Sequence, residues 1–206
     1  YAGGTTNINN SILVSTKVSI YDAGSTNLDN CTITAGTYGV YSYTNSDGTY
    51  QNSTITGNTS SFYKYRGNSK QDLDNTDLLY GSIYNGGGTL NISNADINVD
   101  HTISIAIDNR ATTSLNNIIF DDIYDVYCTY GCDYTSISNS GTLTFDDVTY
   151  TVTSGNMGSF YMISNSGTVN SINSNYEATV ARYDVRERNN ISKFLGQAMK
   201  VACYDV

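Results

Sequence analysis

The chain of 206 residues has no proline, no tryptophan and a single histidine, and only 14% of its residues are charged. Each shortage excludes something. Ten Lys and Arg against 19 Asp and Glu leave a net charge of −9, so the basic footprint that nucleic acid requires is missing. One histidine removes most His-based metal sites and triads. Helical bundles and coiled coils need far more Ala, Glu, Lys and Leu than this. No apolar run approaches the roughly 20 residues of a membrane-spanning helix. The missing proline points the other way. Every backbone N–H stays available for a hydrogen-bonded ladder, as internal strands require.

What is present is 25 Asn, 24 Ser, 26 Thr and 18 Gly, nearly half the chain. Such a composition suggests disorder, but 19 Tyr, 5 Phe and regular Ile and Val argue for a packed core. At this length one domain is the default. The chain opens at Tyr1 without Met or a signal-like segment, which reads as a processed product or an excised fragment.

The polar residues recur with a period. Four segments read almost alike: Ile83-Tyr-Asn-Gly-Gly-Gly-Thr-Leu90, Ile107-Asp-Asn-Arg-Ala-Thr-Thr-Ser-Leu115, Ile137-Ser-Asn-Ser-Gly-Thr-Leu143 and Ile163-Ser-Asn-Ser-Gly-Thr-Val169. A second mark follows each: Asn or Asp, two residues, then a large apolar or aromatic one. It falls at Asn10, Asn30, Asn52, Asn94, Asn117, Asp147 and Asn173, and the double interval before Asn94 implies a coil within 53–93 that lacks it. A period of 20 to 30 residues suits coils of three short strands separated by turns, with Gly, Asn and Ser at the corners. Stacked at about 4.8 Å, such coils align equivalent residues in columns. The marks then predict an inward Asn column bonded amide to amide along the axis.

The phrases Ile137-Ser-Asn-Ser-Gly-Thr-Leu-Thr-Phe-Asp-Asp147 and Ile83-Tyr-Asn-Gly-Gly-Gly-Thr-Leu-Asn-Ile-Ser-Asn94 resemble the repeats of right-handed parallel β-helices. The nearest forms are polymorphic-outer-membrane-protein and autotransporter-passenger repeats, within the pectate-lyase-like superfamily. The resemblance covers about residues 5–180 and implies fold rather than function, since the class includes adhesins, polysaccharide lyases and structural fibres. The expected architecture is all-β: a single parallel β-helix of seven to eight coils over residues 1–180, right-handed as the resemblance implies. Residues 181–206 differ. Ile191, Phe194, Leu195, Ala198, Met199 and Ala202 follow helical spacing, and Arg182, Arg186, Arg188, Lys193 and Lys200 are half of all the basic residues. This segment is expected to form an amphipathic helix that lids the last coil or docks on another subunit.

Signals for chemistry are weak. Polygalacturonase-type enzymes resemble one another through Asn-x-Asp, Asp-Asp, Gly-His-Gly and Arg-x-Lys. Here Asp121-Asp122 and Asp146-Asp147 supply the pair, but His101 lacks flanking glycines and no Arg-x-Lys occurs. The expectation is therefore a protein that is not an enzyme and needs no cofactor. Asp121, Asp122, Asp146 and Asp147 are the candidates for calcium, against a simple solvated acidic loop. Among the cysteines, Cys128 and Cys132 are spaced to staple one loop. Cys31 and Cys203 either pair between successive subunits or remain separate, with Cys31 a buried small side chain. Of the glycosylation sequons, Asn9, Asn58 and Asn91 are the better candidates, because a residue lining the core cannot carry a glycan. The Tyr-rich stretches 38–65 and 124–134 read as loops that could bind sugars. The expectation for function is an extracellular or cell-surface structural subunit that stacks head to tail into a filament. A glycan-binding adhesin fragment is the second reading, and a polysaccharide lyase or hydrolase the third. Partners would be further copies and, on the second reading, glycans, with no nucleic acid and no membrane span.

Overall fold

The computed structural model describes residues 4–43, 45–100, 105–124, 133–154, 159–182 and 200–205. They form a parallel β-solenoid of about seven turns. The first coil shows the plan: three short strands, Thr5–Asn9, Ile12–Ser15 and Val18–Asp22, lie on three faces. Each pairs in parallel with its copy one coil on, at Ser25–Asp29, Thr32–Ala35 and Tyr38–Ser42. In later coils the strands run on through the corners, as in Gly48–Lys64 and Lys70–Asn85.

Alternation along each strand decides what the coil buries. On the first face Leu28, Tyr50, Leu73, Ile92, Leu115 and Phe145 stack in one inward column. On the second face the column is Ile33, Ile55, Leu78, Ile97, Phe120, Tyr150 and Tyr176. On the third it is Ile20, Val40, Phe62, Ile83, Ile107, Ile137 and Ile163. Three apolar columns meet at the axis and form the core.

The corner between the first and second faces is turned by one residue in the left-handed conformation. Asn10, Asn30, Asn52, Asn75, Asn94, Asn117, Asp147 and Asn173 hold it, with φ between 48° and 56°. All eight are exposed, which corrects the expectation that this column lines the core. The residue recurs because Asn and Asp tolerate positive φ, and the left-handed turn directs the side chain to solvent. The coil within 53–93 does carry the mark, at Asn75 with Leu78 three residues later.

The buried Asn column belongs to the Ile-x-Asn segments instead. Asn85 Nδ2 donates to Asn109 Oδ1 at 3.4 Å, Asn109 to Asn139 at 2.7 Å and Asn139 to Asn165 at 2.7 Å. The same amides donate to carbonyls that turn the corner from the third face to the first, such as Asn109 to Thr142 O and Asn139 to Thr168 O. A buried amide in this place is thus fully bonded, as burial of a polar group requires.

At the far end, strand Asn175–Arg182 crosses the expected boundary at 180 and pairs with Lys200–Asp205. Ala202 therefore lies in a strand, and a helix through 200–205 is ruled out because that backbone bonds to the coil beneath. The remaining helical positions, Ile191, Phe194, Leu195, Ala198 and Met199, lie outside the described residues.

Candidate functional site

Seen along the axis, the buried Asn column is one half of a longer polar column: Asp22, Ser42, Lys64, Asn85, Asn109, Asn139 and Asn165 stack in register. Its lower half is a buried charge cluster. Lys64 is fully buried, and its Nζ donates to Ser69 Oγ at 2.7 Å. Burial lowers its ammonium pKa below the usual range, against the pull of the Asp47 and Asp22 carboxylates. Asp22 accepts from Thr26 Oγ1 at 3.0 Å and from Tyr50 OH at 3.3 Å, and burial still raises its carboxyl above the ordinary value. Asp22 ends the column at the open side of the first coil, beside a cleft of about 330 Å³ lined by Gly4, Thr6, Tyr21, Gly24 and Thr26.

The expected site residues do not converge. Asp122 is buried on the second face, where Tyr134 OH donates to it at 2.6 Å and Ser136 Oγ also bonds it. Asp121 points outward from the same strand, Asp146 lies on the first face and Asp147 turns the exposed corner. They share no site, and among the described residues no three His, Cys, Asp or Glu are grouped to hold a metal. The corner marks form an exterior ladder: Asn30 Nδ2 donates to Asn10 Oδ1 at 2.7 Å, Asn75 to Asn52 at 2.8 Å and Asn117 to Asn94 at 2.8 Å. Cys31 is buried beside this corner, its Sγ 3.2 Å from Asp29 O. Cys128 and Cys132 lie outside the described residues, and Cys203 sits in the last strand. Asn9 and Asn58 are exposed, whereas Asn91 is half-buried with Nδ2 donating to Asp72 at 2.8 Å.

Two surfaces remain, and the first is an edge. The strands of the first coil pair only toward the second coil, and among the described residues nothing pairs with their other side. Gly4 O, Asn10 N, Ser11 O and Ser15 O bond toward the second coil. By the alternation of a parallel ladder, the backbone groups of Thr5, Asn7, Asn9, Ile12 and Val14 face away from it. Ile12 and Val14 also have side chains 76% exposed, where the second coil carries Thr32 and Thr34.

The second is an aromatic face. Tyr21, Tyr41, Tyr63 and Tyr84 are in register on the outside of the third face, at intervals of 20 to 22 residues. Their rings stack with centroids 5.4, 5.0 and 4.4 Å apart and planes within 19° of parallel. Tyr43 and Tyr65 form a second column beside them, at 5.6 Å and 5°. Arg66 lies over Tyr65 and Arg110 over Tyr84, while Arg110 also pairs with Asp108 at 2.8 Å. Comparison with family models, curated proteins and solved structures finds no match for the chain. Function must therefore be argued from these surfaces. The reading of 38–65 as a binding loop is corrected, because most of its tyrosines lie on or beside strands. Their recurrence at the coil period was the signal that would have added Tyr21 and Tyr84. Residues 125–132 of the second Tyr-rich stretch lie outside the described residues.

Proposed function

We propose that this protein is an extracellular structural rod, non-enzymatic, whose solenoids stack head to tail through the open edge of the first coil onto the last coil of another copy. The observation that carries the reading is that edge, where among the described residues a row of backbone groups has no strand partner and is bordered by exposed Ile12 and Val14. Free strand edges template pairing with another chain, and solenoids without covered ends polymerise. Two further features support it. The exterior Asn ladder bonds each upper Nδ2 to a lower acceptor, so in that direction Asn7 and Asn10 present amide donors to whatever lies below the first coil. The segment 181–206 holds half of the basic residues of a chain whose net charge is −9, which suits contact with an acidic coil. The likeness to autotransporter-passenger repeats belongs to the same reading, as a surface-exposed fibre.

Electron microscopy and sedimentation over a concentration series test the reading. Rods that lengthen with concentration are the expected result. Asn7→Pro removes an N–H that faces the open edge and spares the ladder to the second coil, so it is expected to abolish lengthening while leaving the monomer folded. Particles of one size at every concentration would overturn the reading.

A glycan-binding surface is the second reading, favoured by the tyrosine face with Arg66 at its margin. A glycan array separates the two, since only this reading expects retention that Arg66→Ala and Tyr65→Ala weaken.

A further inference from the structure

The tyrosine columns present their edges, not their faces, to solvent. Each ring covers the face of the next, so the column turns ring edges to solvent. Such a row places the ring carbons of successive tyrosines side by side. We propose that the column Tyr21–Tyr41–Tyr63–Tyr84 is a site of oxidative tyrosine coupling that staples successive coils, with Tyr63 and Tyr84 the first pair to join.

Two observations favour that pair. Tyr63 and Tyr84 are direct register partners on adjacent coils. Their centroids are 4.4 Å apart at 13°, the tightest contact in the column. Neighbouring strands about 4.8 Å apart bring the two rings within reach of a bond by side-chain rotation alone. Burial and neighbouring phenols push the Tyr63 hydroxyl up to about 12, so at neutral pH this phenol must lose its proton together with an electron. The oxidant is a peroxide acting through a haem peroxidase. Each of two phenols gives up one electron and its hydroxyl proton, and one hydrogen peroxide takes both pairs and becomes two waters. The phenoxyl radicals join through their ortho carbons. The ring hydrogens displaced there return to the phenolic oxygens, leaving a biphenol.

Exposure and stacking make different predictions, and Tyr80 separates them. It is 52% exposed but has no ring partner among the described residues, while Tyr63 is less exposed and stacked on both sides. Tyr50, Tyr134 and Tyr150 are sealed in the core.

The test treats dilute full chain with a haem peroxidase and hydrogen peroxide, then locates linked tyrosines by fragmentation mass spectrometry. A Tyr63–Tyr84 linkage, lighter by two hydrogens than the separate peptides, is expected within one chain. It should vanish in Tyr63→Phe and in Tyr84→Phe, which keep the ring and the packing, and persist in Tyr80→Phe. The coupled protein should also unfold at a higher urea concentration. Linkage distributed by exposure, with Tyr80 as frequent as Tyr63, would overturn the proposal. So would linkage only between chains, or none. The bond lies within one chain, so the outcome is independent of end-to-end assembly.

Discussion

Asparagine does two different jobs in this solenoid, and the difference lies in the backbone. At the exposed corner it holds positive φ, a conformation that costs most other residues about 1–2 kcal/mol. At the buried corner its value is the side chain, which both donates and accepts along the axis and closes the turn. Substitution separates the jobs. Asn94→Ala is expected to cost about 1 kcal/mol, and Asn94→Gly to recover most of it, because glycine adopts positive φ freely. Asn109→Ala is expected to cost about 2–3 kcal/mol, because it takes from Asn139 Oδ1 its donor and from Thr113 Oγ1 its acceptor in the core, and glycine there recovers nothing. Urea unfolding of the four variants measures both. Equal rescue by glycine at the two positions would show that one job explains both columns.

At the scale of the element, what matters is how closely one corner stacks on the next. Where the second face turns into the third, Gly39, Gly57 and Gly81 lie near one another on successive coils. A Cβ on Gly57 would collide with the Ser60 carbonyl and lie 2.6 Å from Gly39 N, and both are backbone atoms that cannot step aside. Gly57→Val is therefore expected to destabilise the fold by roughly 1–3 kcal/mol, with a lower urea midpoint. The β-bulges in the pairing of Gly48–Lys64 with Lys70–Asn85 fall just after Gly57, at the same corner. Strand positions tolerate more. Outward residues on the second face change from Ile12 to Thr32 to Thr54, while the column beneath stays aliphatic as Leu13, Ile33 and Ile55.

The whole molecule joins these corners into one core that holds several phenols out of water. Burial raises the hydroxyl pKa values of Tyr50, Tyr134 and Tyr150 well above 10, with nearby Asp22 or Asp122 adding to the shift. The folded state keeps protons that the unfolded chain releases near pH 10. That stability is complete below pH 10 and lost as the pH rises beyond it. Lys64 works the other way. Its lowered pKa means stability increases with pH up to the ordinary value of 10.5. The expected urea midpoint rises slightly, then falls steeply above pH 10, and Tyr150→Phe falls less steeply. A midpoint flat to pH 12 would contradict the burial of these groups. The sequence by itself determined the coil, its period and its apolar columns, because alternation and recurrence are written along the chain. It could not decide which Asn faces inward, since composition is blind to the sign of φ and only the turn of the corner sets that direction. Nor could it align Tyr21 with Tyr84 or bury Asp122 apart from Asp121. Those placements depend on the register between coils, which exists only once the chain has wound onto itself.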